Sequence, residues 1–276
     1  MQFFSYLING ISLGSVYALI ALGYTMVYGI AKMLNFAHGD VIMIGSYVVY
    51  FAFGASGLNP VLSIVLSMIV CTILGVVIER LAYRPLREAP SLAVLITAIG
   101  VSYLLQQVAQ LSWSSNPKSF TSVVSGMKPV SLFGGQLTIS AETIVTIVAC
   151  VVIMVVLMWF VNYTPAGHAM LAVSEDRGAA QLMGVNVNGT ISLTFAIGSA
   201  LAAIAGALLC SSYPTLQPTT GAMPGIKAFV AAVFGGIGSI PGAFVGGILL
   251  GIIENLSKAY ISTQLSDAIV FLVLVV

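Results

Sequence analysis

Charge is what this sequence has least of. Nine Lys and Arg and eight Asp and Glu make up 6% of its 276 residues, where a soluble domain carries about 25%. Six stretches hold no charged side chain at all: 1–31, 41–78, 89–117, 143–174, 178–226 and 228–253. A soluble enzyme, a disordered chain and a secreted disulfide scaffold are excluded by that pattern. A net charge of +1 with scattered basic residues makes no phosphate-tracking face, so nucleic acid is not an expected partner. Continuous apolar runs, rather than ten-residue alternation, exclude an outer-membrane barrel. The three cysteines, Cys71, Cys150 and Cys210, share no short spacing and lie in apolar runs, as packing residues do. No lysine follows a glycine, which removes the phosphate-binding P-loop. With His38 and His168 as the only histidines, no H-E-x-x-H zinc site exists, and His38 with Asp40 falls short of a metal ligand set. Asp40, Asp176 and Asp267 form no intramembrane catalytic pair. There is neither an arginine-rich sensor helix nor a channel filter signature. No positively charged n-region precedes the first apolar run, because the first charge is Lys32; the N-terminus is expected to be the first span rather than a cleaved signal.

What remains is apolar sequence in lengths that cross a bilayer, which takes roughly 20 residues. The fold class expected is an all-α polytopic membrane protein, residues 1–276 forming a single transmembrane domain of about eight or nine transmembrane or half-membrane helices. Spans are expected near 4–29, 39–56, 60–79, 91–111, 142–162 and 190–211. Gly57-Leu58-Asn59-Pro60 divides the second from the third, since Asn-Pro and Gly punctuate helices. Residues 226–253 are apolar but interrupted at Gly238-Ser239-Ile240-Pro241-Gly242, which reads as two short or half-length helices. An apolar run reaches Val276, so the last span is expected to be cut short. Residues 112–141, rich in Ser, Gly and Pro, read as an external loop. Loops 79–88 and 163–189 share a side and carry Arg80, Arg84, Arg87 and Arg177, against Lys118 and Lys128 between them. The positive-inside rule places the arginine-bearing loops in the cytoplasm and the N-terminus outside.

Small residues at four-residue intervals, Gly198/Ala202/Gly206, Gly242/Gly246 and Gly247/Gly251, mark faces where helix backbones approach closely. Gly235, Gly236 and Gly238 with Gly242 form a denser cluster, read either as a broken helix lining a translocation path or as tight packing. Polar residues inside membrane segments are costly and often functional. Asn35, His38 and Asp40 are the path candidates, with Gln106 and Gln107 behind them; for Asp40 the alternative is a first-turn carboxylate meeting free helix N–H groups. In the 163–189 loop, Thr164 is a suitable N-cap and Pro165 a suitable first helical residue. Ser174-Glu175-Asp176-Arg177 is expected to open a second short helix, with its acidic pair at the N-terminal end, Ala179, Ala180, Leu182 and Met183 as apolar contacts and Gly184 as its stop. Such a segment is either a solvated connector or a docking knob for a partner's groove.

The run from Asn9 to Gly23 and Leu34-Asn35-Phe36-Ala37-His38-Gly39-Asp40 resemble the branched-chain amino-acid ABC transporter permeases, most closely the H-type subunit. So do Glu79-Arg80, Tyr83-Arg84-Pro85-Leu86-Arg87, Thr164-Pro165-Ala166-Gly167, the 174–184 segment and Phe234 to Gly242. The resemblance extends over nearly the whole chain. It implies a permease of the bacterial cytoplasmic (inner) membrane that passes branched-chain or related apolar amino acids inward. The implied partners are a second homologous permease, two cytoplasmic ATPases and an external or periplasmic solute-binding protein, in addition to the lipid bilayer. ATP and magnesium would be bound by those partners, with no cofactor, catalytic residue or metal in this chain. It also implies that Glu175, Asp176, Arg177, Ala179, Ala180, Leu182, Met183 and Gly184 dock the ATPase. His168 and Leu171 stand where the family often has basic residues, so this loop is less basic than usual. Permeases of this family also serve urea and short amides. An autonomous ion-coupled transporter is the reading from another class, and the scarcity of embedded carboxylates weighs against it.

Overall fold

A computed structural model describes residues 2–275 apart from 125, 127 and 133–136; those positions of the expected 112–141 loop, and Val276, lie outside the described residues. Eleven α-helices are described: α1 (Gln2–Ala31), α2 (His38–Val49), α3 (Pro60–Ile78), α4 (Ser91–Trp113), α5 (Ala141–Tyr163), α6 (Pro165–Glu175), α7 (Arg177–Leu182), α8 (Val187–Ser212), α9 (Ala222–Phe234), α10 (Ile240–Tyr260) and α11 (Ser266–Val275). Six of them, α1, α3, α4, α5, α8 and α10, are long and apolar enough to cross a membrane. The residues between α4 and α5 contribute two small antiparallel pairings. Lys118–Ser119 (β1) pairs with Thr215–Leu216 (β4), and Val130–Leu132 (β2) with Leu137–Ile139 (β3).

Helix starts follow local chemistry. Asn59 Oδ1 accepts from the Val61 N–H at 3.0 Å ahead of Pro60, Ser140 from Thr143 at 3.3 Å, and Ser239 from Gly242 at 3.2 Å. Each satisfies an amide that has no partner within the helix. Beyond α2 and α3 the chain continues as π-helical turns, Tyr50–Ala55 and Glu79–Tyr83, so each helix runs past its regular part.

The core is built on α1. Most of this helix is buried, from Gly10 through Ala31 with few exceptions, whereas α3, α4 and α5 leave large apolar side chains such as Leu62, Ile73, Leu104 and Val152 exposed. That is the distribution expected of a central helix ringed by helices facing lipid. The small-residue stripes pack against α1, α2 and α9. Gly247 and Gly251 of α10 lie against Ala18 and Gly14 of α1, Gly246 against Ala231 of α9, Gly198 against Gly23 of α1, and Gly206 against Ile42 of α2. A Cβ added at Gly14 would lie 2.7 Å from the Ile248 Cα, so backbone meets backbone along this seam.

One expectation is corrected. The apolar region 226–253 is not two half-length helices. α9 is short, at 13 residues, but α10 runs 21 residues to Tyr260, a full span. The charge at Glu254 does not end it, because Lys227 and Lys258 both donate to that carboxylate. Gly235 closes α9, and Gly236 and Gly238 make the turn at φ +90° and +99°, a region that L side chains enter only with strain.

Candidate functional site: the charged end and the cavity behind it

The arginine-bearing loops come together at one end of the molecule. Glu79 accepts from Arg87 and, at 2.6 Å, from Ser192 Oγ, while Arg87 also reaches Asn188 in the first turn of α8. Arg177 donates to the Ala31 carbonyl at the C-terminal end of α1, where a cation is favoured by the helix dipole. Partial burial and the neighbouring Arg87 guanidinium lower the Arg177 pKa from its ordinary value.

At this end the chain turns through two short helices. Thr164 Oγ1 accepts from the Gly167 N–H at 3.0 Å and Pro165 begins α6. Asp176 Oδ1 accepts from the Ala179 N–H at 3.0 Å and caps α7. The acidic pair is therefore split: Asp176 starts the second helix, whereas Ser174 and Glu175 finish the first. The backbone of Asp176 is extended, at φ −150° and ψ 113°, so one helix cannot run through it. Gly184, at φ +84°, ends the unit as a left-handed residue should. Ala180 faces inward at 4% exposure, but Leu182 and Met183 stand 90% and 84% exposed. Two large apolar side chains held outside the spans on a capped helix form a knob with a greasy tip.

Behind the knob lies a cavity of about 520 Å³. Glu175 and Ser174 of α6 line one wall, Thr25 of α1 and Lys32 just beyond its end a second, and Gly236 and Gly238 a third. Thr25 Oγ1 is buried and unpartnered among the described residues. The geometry thus joins Glu175 from the candidate docking set to Gly236 and Gly238 from the candidate path set. Gly235 lies apart, pressed against the Gly242 backbone.

The remaining path candidates lie deeper. His38 sits over Gly23, where a side chain would collide with the imidazole. Gly23 is eight residues before the end of α1, so α2 starts about 12 Å along the α1 axis from that end. Asn35, His38 and Asp40 are 4%, 1% and 1% exposed. Asn35 Oδ1 accepts from Tyr83 Oη at 2.8 Å, and Asp40 Oδ1 from Gln106 Nε2 at 2.9 Å. Asp40 is in the first turn of α2, the position its bland reading requires, and it also ties α2 to α4. His38 Nε2 has no hydrogen-bond partner among the described residues. Gly39 packs against Gly221 and Gly225, so the starts of α2 and α9 meet inside the protein.

A second charged cluster, not evident from the sequence, lies beside Tyr17 midway along α1 and near the C-terminal end of α10. Lys227 Nζ donates to Glu254 Oε1 at 2.8 Å and to Asp267 Oδ1 at 2.7 Å. Tyr17 Oη donates to Glu254 Oε2 at 2.8 Å, and Lys258 completes the group as an i,i+4 partner of Glu254. The signal available was isolation, since Lys227 is the lone charge between 178–226 and 228–253, where an ionisable residue implies a partner.

Comparison with known proteins gives a consistent set of likenesses. Residues 6–276 match the family described as branched-chain amino acid transport system, permease component. The chain is 43% identical to the high-affinity branched-chain amino acid transport system permease protein LivH of Salmonella typhimurium, over 100% of this chain and 92% of that protein. It is 44% identical to the BraD permease of the same kind of system in Pseudomonas aeruginosa, covering 96% of this chain and 89% of that one. A probable branched-chain amino acid transport permease of Methanocaldococcus jannaschii is 31% identical, over 89% of this chain and 78% of that protein.

Proposed function

Because the chain belongs to the family of branched-chain amino acid transport permeases, we propose that it is the membrane-spanning subunit of an ATP-driven importer of the bacterial cytoplasmic membrane. Its solutes are branched-chain or related apolar amino acids, carried inward. It pairs with a homologous permease, receives solute from an external binding protein, and is driven by two cytoplasmic ATPases that bind ATP and magnesium. The arginine-bearing end faces the cytoplasm, in keeping with the positive-inside rule.

The observation that carries this reading is the exposed pair Leu182 and Met183 on a helix capped by Asp176. Glu175, Asp176, Arg177, Ala179, Leu182 and Met183 present the docking surface, Ala180 seats it on the permease, and Gly184 ends it. Movement of the knob reaches the cavity wall through Glu175 and reaches α1 through the Arg177 contact with Ala31. Gly236 and Gly238 form the opposite wall, where solute leaves. Asn35, His38 and Asp40 lie above it, at the meeting of α2 and α9, and line the path when it opens.

L182E/M183E should leave the permease in the membrane while abolishing co-purification of the ATPase. Undiminished co-purification would refute the docking role. Replacing Asn35 or His38 by Ala should lower uptake without loss of ATPase binding; unchanged uptake returns them to packing.

A further inference from the structure

The cluster around Lys227 lines a cavity. A pocket of about 210 Å³ is bounded by Tyr17, Lys227, Glu254 and Lys258 on its polar side, and its apolar side is formed by Leu13, Leu209, Met223 and Pro224. It shares Leu13 and Tyr213 with a larger cavity of about 490 Å³. That outer cavity is lined by polar groups, Asn9, Ser12, Ser211 and Asn255 among them, and by the carboxylate of Glu142. The two lie at the end opposite the Leu182 knob and form a polar vestibule leading to a charged, half-apolar pocket.

Donor arithmetic specifies the occupant. Glu254 has one acceptor site left: Oε1 accepts from two ammonium groups and Oε2 from Tyr17 alone, three of the roughly four sites of a carboxylate. Each ammonium has three N–H donors and no acceptor. Lys227 spends two of its three, on Glu254 and Asp267. Lys258, 33% exposed, spends one, on Glu254. The lining therefore keeps unspent cationic donors and one carboxylate acceptor site, on Glu254 Oε2, beside four apolar side chains. A head that carries both a carboxylate and an ammonium, on an aliphatic tail, fits both halves.

We propose that this pocket is the permease's own outward-facing subsite for an apolar α-amino acid, which it holds by the α-carboxylate on Lys258 and Lys227. The inference rests on the importer reading above and sharpens it: urea and short amides lack the carboxylate and are not held here. Lys258 and Lys227 are the binding residues, and Glu254 also orients both lysines.

The test uses the assembled importer in vesicles, with reporter cysteines at Met223 and, separately, at Tyr213, and a membrane-impermeant maleimide added outside. The native Cys71, Cys150 and Cys210 are buried, so their background labelling is low. Millimolar leucine is expected to slow labelling of Met223→Cys and Tyr213→Cys, while leucinamide and urea at the same concentration do not. Adding Lys258→Gln should raise the protecting leucine concentration about tenfold or more, the loss expected for one charge-assisted hydrogen bond, and Lys258→Arg should restore much of it. Labelling of both reporters that ignores leucine, in vesicles whose native complex takes up leucine, overturns the subsite alone. Equal protection by leucinamide overturns the carboxylate role. Failure of the native complex to take up leucine overturns the importer reading and the subsite with it.

Discussion

Lys227 is held by carboxylates from two other helices, and its energetics set a residue-scale prediction. Removing one partner of a fully enclosed ion pair costs roughly 3–5 kcal/mol, because the other charge is left uncompensated. Here Lys258 stays beside Glu254 and Asp267 is 47% exposed, so Lys227→Met should cost less, on the order of 2 kcal/mol after that screening. In detergent, K227M should melt lower than the native protein, and K227M/E254Q should melt no lower than K227M. A double variant whose loss equals the sum of the two single losses would show that the pair is not coupled. None of these partners could be read from the sequence, because the contacts span 27 and 40 positions and no local pattern encodes them. The same holds for Asp40 and Gln106. Both stood out as polar residues in apolar surroundings, but their 2.9 Å bond depends on how α2 and α4 pack.

Elements were legible where their signals are local. Asn59-Pro60, Thr164-Pro165 and Gly184 announced their boundaries because a cap, a fixed φ or a left-handed residue acts within one turn. The end of α10 was not legible, since whether a charge stops a helix depends on a partner elsewhere in the chain. Nor was the division between Glu175 and Asp176, which is settled by a single extended residue. The cap gives a graded test of the knob. Asp176→Ala should cost α7 about 1 kcal/mol and weaken ATPase co-purification, whereas Asp176→Asn should retain most of it, Asn being about as good a cap. If both substitutions behave alike, the cap does not position the knob. For the α1/α10 seam, Gly251→Val forces a branched side chain into the Gly14 backbone. A loss of at least about 1–3 kcal/mol, the usual cost of overpacking, should appear as a lower melting temperature. A stable G251V protein would show that the seam has slack.

Over the whole molecule, the division of charge between two ends predicts sidedness. Gln181→Cys, on the exposed knob, should react with an impermeant maleimide only after cells are permeabilised. Ser115→Cys, exposed after α4 at the other end, should react in intact cells. The opposite pattern would invert the orientation and move the ATPases to the wrong side. The fold class was readable because a bilayer imposes length and apolarity on every crossing; the expected span 39–56 was not borne out as one long helix, α2 running only 12 residues before its π-helical turn. The way the helices surround α1 was not readable, because in an apolar solvent many faces look alike and only close approach of small residues distinguishes them.

The uninterrupted length of α1 has a mechanical consequence. Its 30 residues contain no break, so it is a rod about 45 Å long. Arg177 grips it at Ala31, and Glu254 grips it at Tyr17. A rod cannot absorb a displacement along its axis, so whatever shift the knob imposes on one grip arrives at the other undiminished. The seam of Gly14, Ala18, Gly247 and Gly251 offers few interlocking side chains to resist such a slide. Stiffness along the axis and low friction beside it would let a push at one membrane face loosen a carboxylate's hold half-way along the rod.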